Sequence, residues 1–179
     1  AAGWSWAVLL VLYFVAAAGL SRAGSAEKDA RTGAVVSKGS GRDWSQVLAN
    51  GGLYVLAASL SLAYAPAWLS WAGVSALAAA SSDTWATEIG VLFGGQPKSI
   101  ISRTIVRQGE SGGVTAVGLV GSLAGAAWVG GAAILLGFPR GLGIASVVAG
   151  LGGSLADSVL GATVQERRWC DRCADPTER

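Results

Sequence analysis

Apolar runs of bilayer-crossing length recur along this chain, and they leave little room for anything but a membrane fold. They are Trp4 to Leu20, Val47 to Tyr64, Ala67 to Ala80, Gly112 to Leu136, and Leu142 to about Val164. The third continues in helical pattern as SSDTWATEIGVLFGG. About 20 consecutive apolar residues span the hydrocarbon core. A signal peptide is a poor reading of the first run, because no basic stretch precedes it and no clear small-residue cleavage site follows. Charged residues make up 13% of the chain, roughly half of what a soluble domain carries. The 27 glycines would weaken soluble helices but let helix backbones approach closely in lipid. The expected fold is therefore an all-α, polytopic membrane helix bundle of about five transmembrane spans.

The basic residues set the expected topology. Tight turns at Ala65-Pro66 and at GFPRG, residues 137–141, separate three basic segments. With both turns facing outward, Arg140 is the one outward cation and the other twelve lie on the opposite side. That side is the cytoplasm by the positive-inside rule. The expectation is a transmembrane domain over residues 1–166 with cytoplasmic loops 21–46 and 94–112. A cytoplasmic tail, 167–179, ends the chain, and the membrane is the plasma or inner membrane. The tail holds Cys170 and Cys173 as one CxxC. That is half of a zinc-ribbon pattern, and the chain supplies no second half, so two free thiols are expected. Nothing in the composition points to nucleic acid, and a homo-oligomer is compatible with it.

Three acids lie within or at the ends of spans: Asp83, Glu88 and Asp157. A carboxylate in hydrocarbon costs several kcal/mol, so it marks function unless a buried cation pairs with it. No lysine or arginine sits mid-span to do so. Asp83, Thr84, Thr87 and Glu88 fall on one helical arc, and Ser154, Asp157, Ser158, Gly161 and Gln165 on one stripe. Histidine is absent. Carboxylates with hydroxyls and no imidazole or thiolate suit a hard cation such as Mg²⁺. On the same side, Lys98, Arg103 and Arg107 lead to Ser111-Gly112-Gly113, expected to open the next helix. A helix N-terminus of that kind suits phosphate. The segment KGSGRDWSQVLANGG adds Lys38, Arg42, Gln46 and Asn50.

Four ordered motifs carry a family resemblance: ANGG at 49–52, SSDTWATEIG at 81–90, SGGVT at 111–115 and GSLADSVLGATVQER at 153–167. In these the chain resembles the integral-membrane family that includes plant phytyl-phosphate kinase and the animal transmembrane protein nineteen. A looser similarity in motif order runs to phosphatidate cytidylyltransferase, CDP-archaeol synthase and dolichol kinase, enzymes that use CTP and Mg²⁺ on lipids. Asp157 stands where that group shows a somewhat different acidic pattern. The resemblance implies an Mg²⁺-dependent transferase moving a phosphoryl group from a nucleoside triphosphate, CTP foremost, to an isoprenyl monophosphate. Its lipid partner would be an isoprenoid phosphate in the membrane.

In that reading Asp83 and Asp157 hold the metal with Glu88 assisting. Lys98, Arg42, Asn50, Thr84, Ser158 and the Ser111-Gly112-Gly113 turn serve the nucleotide and its phosphates. Arg103 and Arg107 are weaker candidates, for the lipid phosphate. Two rivals use the same residues differently: a CTP-dependent lipid-phosphate cytidylyltransferase, and a cation- or proton-coupled transporter. The transporter predicts an internal repeat, and no convincing repeat is present.

Overall fold

A computed structural model describes residues 2–32, 44–64, 66–165, 168–170 and 175–177. Five long helices dominate it: α1 (Ala2–Arg22), α3 (Trp44–Tyr64), α4 (Ala67–Phe93), α5 (Ala116–Leu135) and α6 (Arg140–Val164). All but α4 are long and apolar enough to cross a membrane by length and composition. Helix α4 has 27 residues, about 40 Å of helix, but Ser81, Ser82, Asp83, Thr84, Thr87 and Glu88 lower its apolarity. It is the hub nonetheless, packing against α5, α6, α3 and α1. The expected all-α membrane bundle is what the chain forms.

Three short features depart from the sequence reading. The loop expected over 21–46 contains a helix, α2 (Ser25–Thr32). The loop expected over 94–112 is shaped by a two-stranded antiparallel pairing, β1 (Lys98–Ser99) with β2 (Gly113–Val114). The tail carries a second such pairing, β3 (Arg168–Cys170) with β4 (Asp175–Thr177). Strands of two or three residues have no readable periodicity, and β1 meets its partner only at residues 113–114.

Packing is inverted relative to a soluble protein. Large apolar side chains such as Val11, Leu53, Leu62, Leu135 and Val148 face outward, whereas Ser81, Ser82, Ser122, Ser146 and Ser154 are buried. Outward Leu and Val meet lipid, which is as apolar as they are, so close packing and hydrogen bonds hold the helices together instead. Ser82 and Ser122 join α4 to α5 through a hydroxyl pair at 2.6 Å. Glycines permit backbone contact around it. A Cβ at Gly125 would lie 2.6 Å from the Ser81 carbonyl, and one at Gly150 would lie 3.0 Å from the Ala78 carbonyl. An aromatic and aliphatic cluster locks α1 and α3 onto α4, with the Tyr54 hydroxyl donating to the Trp6 carbonyl at 2.8 Å.

The two ends of the bundle differ. At one, the Ser5 hydroxyl donates to the Leu136 carbonyl at 2.8 Å, and Trp6 stacks edge-on against Phe138 of the α5–α6 turn. At the other, the C-terminal ends of α1, α4 and α6 gather with α2, the β1–β2 pair and the start of α5. The sequence-predicted site residues of α4, α6 and the 94–112 loop belong to this second end.

The close approach at Gly125 makes a stability prediction. Gly125→Ala forces a methyl into backbone and should lower the stability of the detergent-solubilised protein by about 1–3 kcal/mol. Gly131→Ala, where a Cβ meets nothing within 4 Å, should leave the thermal unfolding midpoint unchanged or slightly raised. Equal midpoints for the two variants would contradict the packing described.

Candidate functional site

At the polar end, α4, α5 and α6 enclose a cavity of about 500 Å³. Behind it the helices touch: α5 meets α6 where a Gly130 Cβ would come within 2.5 Å of the Gly143 carbonyl. Helix α4 meets α6 where one at Gly153 would come within 2.7 Å of the Ala79 Cβ. Beyond these contacts Asp83 of α4 and Asp157 of α6 both line the cavity, together with Thr87, Ser154 and Ser158. Asp83 is half-buried and Asp157 exposed, so one is set into the bundle and the other stands at its opening.

The roof comes from residues 108–115. Gly112 adopts φ +78°, and a Cβ there would sit 2.4 Å from the Ala162 Cβ and 2.8 Å from its Cα. Only glycine lets the Ser111–Gly113 turn settle on the last turns of α6. Ser111, Gly112 and Gly113 all line the cavity, but the turn does not open a helix. Gly113 begins β2 and donates its N–H to the Glu110 carbonyl at 3.1 Å. Thr115 is the true N-cap of α5, accepting from the Gly118 N–H at 2.9 Å. The signal for it was present in the sequence, a threonine immediately before an apolar run.

Several site residues proposed from sequence lie elsewhere. Thr84 is buried on α4 and does not line the cavity. A single residue step turns the helix by about 100°, so Asp83 and Thr87 line the cavity while Thr84 and Glu88 face another way. Glu88 is not a cavity residue. It forms an ion pair with Lys28 of α2 at 2.6 Å and accepts a hydrogen bond from the Ser21 hydroxyl. Lys28 is buried and also donates to the Leu20 carbonyl at 2.6 Å. The expectation that Glu88 lacked a cationic partner is therefore corrected. Helix α2 delivers one from outside the spans, which no spacing within α4 could reveal. Beside it Arg31 donates to the Val91 and Leu92 carbonyls, each at 2.8 Å, satisfying the otherwise unpaired end of α4.

The basic residues are likewise not on the lining. Pro97, just before β1, is buried and lines the cavity, whereas Lys98 is exposed and does not. Arg103 lies exposed in a turn with φ 58°. Arg107 is exposed, and its backbone N–H donates to the Glu110 carboxylate at 3.1 Å. Asn50 sits on α3, away from the lining. Arg42, Lys38 and Cys173 lie outside the described residues. In their place the lining holds Gln108, Glu110 and Gln165, of which only Gln165 was on the sequence-derived stripe. Gln108 is held by a 2.8 Å hydrogen bond to the Gly95 carbonyl.

The charged side chains that line the cavity, among the described residues, are thus Asp83, Glu110 and Asp157. An acidic cavity of this kind accepts phosphates only together with cations. The donor set next to the aspartates is all oxygen, namely two carboxylates with the Thr87 and Ser158 hydroxyls, the chemistry Mg²⁺ prefers. Among the described residues no three His, Cys, Asp or Glu gather as a closed metal cage. Mg²⁺ fits such an incomplete set, since it keeps waters and shares its ligands with substrate phosphates.

Fold and site together define a polytopic membrane helix bundle with an acidic, glycine-roofed cavity at one end. The chain belongs to the family described as Integral membrane protein DUF92, which it matches over residues 1–179. It is similar to Protein PGR of Arabidopsis thaliana, 32% identical over 199 residues covering 94% of this chain and 67% of that protein. It is also similar to an uncharacterized membrane protein of Methanocaldococcus jannaschii, 30% identical over 92% of this chain and 67% of the relative. A third such protein, from Synechocystis, is 31% identical over 93% of this chain and 66% of its own length. The chain thus spans about two thirds of these relatives. No solved structure matches it. The family resemblance carried by the four motifs is borne out.

The placement of Glu88 separates it experimentally from the cavity acids. Glu88→Gln leaves the buried Lys28 ammonium uncompensated and should cost about 3–5 kcal/mol of stability, read as a lower unfolding midpoint in detergent. Asp157→Asn, at an exposed position, should leave that midpoint within error of the parent. A Glu88→Gln protein as stable as the parent would remove the structural role assigned to this pair.

Proposed function

We propose that the protein is an isoprenyl-phosphate kinase, transferring the terminal phosphoryl group of a nucleoside triphosphate, CTP foremost, to an isoprenyl monophosphate. One observation carries the reading: Asp83 and Asp157, from separate helices, line one cavity with the Ser111–Gly113 turn as part of its roof. Two carboxylates with hydroxyls beside them would hold Mg²⁺, which supplies charge neutralisation at the transferring phosphoryl group. Phosphoryl transfer demands positioning and electrostatic stabilisation more than covalent chemistry. The acceptor phosphate is largely ionised at neutral pH, so a chain without histidine needs no general base. An acceptor phosphate oxygen forms the new P–O bond while the bond from the terminal phosphorus to its bridging oxygen breaks. The products are a nucleoside diphosphate and an isoprenyl diphosphate.

The chain's own contributions follow from their places. Asp83, set into the bundle, would hold the metal, and Asp157, at the exposed position, would share it with the nucleotide. Gly112 and Gly113 let backbone approach the phosphates without a side chain between. Gln108 and Gln165 offer amides to the nucleotide. Arg42 and Lys38, whose segment precedes α3, are the cations best suited by sequence to join the phosphates. The bundle lies in a membrane whose cytoplasmic face carries the cavity and the C-terminal tail, in line with the basic residues clustered toward that end.

Asp83→Asn and Asp157→Asn should each lower turnover by at least about a hundredfold while membrane insertion and expression are retained. Purified protein given Mg²⁺, phytyl or farnesyl monophosphate and CTP labelled at either phosphorus should place γ-label, not α-label, in the lipid. α-Label in the lipid with release of pyrophosphate would establish a cytidylyltransferase instead. Neither label in the lipid, with Asp83-dependent uptake of a cation into proteoliposomes, would establish a transporter.

A further inference from the structure

The cations of the 94–112 loop do not line the cavity, and two isoleucines beside them face outward. Between Glu88 and Glu110 the chain holds Lys98, Arg103 and Arg107 and no acid. Residues 98–105 form a tight hairpin. In it the Ser99 N–H donates to the Thr104 carbonyl at 2.8 Å, and the Arg103 N–H to the Ser99 carbonyl at 2.9 Å. Lys98 stands opposite Ile105, so the two share a face. Ile101 is 52% exposed and Ile105 62%, and Lys98 and Arg103 are exposed with them. Neither of these two cations makes an ion pair among the described residues. The positive-inside rule explains the side on which such cations lie. It does not explain isoleucines next to them.

Helix length places the hairpin in depth. Trp68 and Trp71 are exposed near the start of α4, as tryptophans at a membrane–water interface are. A hydrocarbon core of ~30 Å takes about 20 residues of helix, so the opposite boundary falls near Glu88 to Val91. The Lys28–Glu88 pair and the Arg31 hydrogen bond to the Val91 carbonyl lie at that level. Lys98 follows the end of α4 at Phe93 by a few residues, which sets the hairpin among the headgroups. We propose that hairpin 98–105 is an interfacial anchor, in which Lys98 and Arg103 take anionic phospholipid headgroups while Ile101 and Ile105 enter the glycerol–acyl boundary. Each cation held at an anionic surface strengthens attachment about fivefold, and the isoleucines add apolar area at the same place. The Ile100 N–H donates to the Gly112 carbonyl at 2.9 Å and β1 pairs with β2, so the anchor and the cavity roof form one ribbon. Attachment therefore holds the roof at the membrane surface whatever the cavity binds, and the anchor does not rest on the kinase reading.

The test uses the full chain carrying Cys170→Ser and Cys173→Ser, in vesicles of phosphatidylcholine alone or with an equal part of phosphatidylglycerol. A spin label is attached at Ile101→Cys or Ile105→Cys. Its collisions with membrane-soluble oxygen and with a neutral, water-soluble nickel chelate are then measured. Phosphatidylglycerol should lower access of the chelate about threefold or more at both positions, while access of oxygen rises. Lys98→Gln together with Arg103→Asn should abolish that difference, asparagine being suited to the φ of 58° at residue 103. A label at Ala26→Cys, an exposed residue of α2 next to Glu27, should stay open to the chelate in both lipids. Equal chelate access in the two lipids, or a difference that survives loss of both cations, would overturn the proposal. So would labels shielded from oxygen and chelate alike, since protein rather than lipid would then cover the hairpin. None of these results bears on phosphoryl transfer, which the labelled nucleotide tests by itself.

Discussion

Backbone contact between helices is the constraint on which the rest of this structure depends. Helix α4 can lie against α5 and α6 only because Gly125 and Gly150 put no side chain in the way of the Ser81 and Ala78 carbonyls. In lipid there is no hydrophobic gain from hiding one leucine against another, so dispersion at short range and buried hydroxyl pairs hold the helices together. The Ser82–Ser122 pair is the clearest example. Helices α4 and α5 stay in contact toward the polar end, where a Cβ at Gly118 would lie 3.0 Å from the Ala86 carbonyl, and the cavity is bounded by this pair and α6. Two aspartates far apart in sequence meet in that space. The packing and the cavity are consequences of one arrangement.

The same economy governs how charge is handled. Of the three span-associated acids, Glu88 is neutralised by Lys28 at 2.6 Å and serves to hold α2 against α4. Asp83 and Asp157 instead both line the cavity, where no lysine or arginine among the described residues joins them. Removing a cation from one pair while leaving another pair of like charges together is unfavourable unless a ligand completes it. This contrast marks the aspartates as the candidate functional groups, and Glu88 as a structural one.

Much of this was legible in the residues. Long apolar runs, scarce charge and plentiful glycine prescribe a membrane bundle whatever the tertiary details, because the bilayer admits few other solutions. The helical spacing of Ser154, Asp157, Ser158, Gly161 and Gln165 put them on one stripe, and all five line the cavity. The arc on α4 was read too broadly. Asp83 and Thr87 belong to the cavity, whereas Thr84 and Glu88 do not, since an arc of four residues on a hub helix faces more than one neighbour. The basic loop was read as polar and its cations as a phosphate rim, but Lys98, Arg103 and Arg107 do not line the cavity. Pro97 is buried and the adjacent Lys98 exposed, and a strand of two residues leaves no pattern to find.

The sequence by itself determined that the chain lives in a membrane, how many long helices it has, and which side chains are too polar to face lipid. These follow from transfer free energies and helical periodicity, which are local properties. Only the tertiary structure decided which acid meets which partner. Lys28 lies 60 residues from Glu88, Gly112 settles on Ala162, and Asp83 shares a cavity with Asp157. Such pairings depend on helix rotation and on where glycines let backbones touch, and neither is written in the spacing of any one segment.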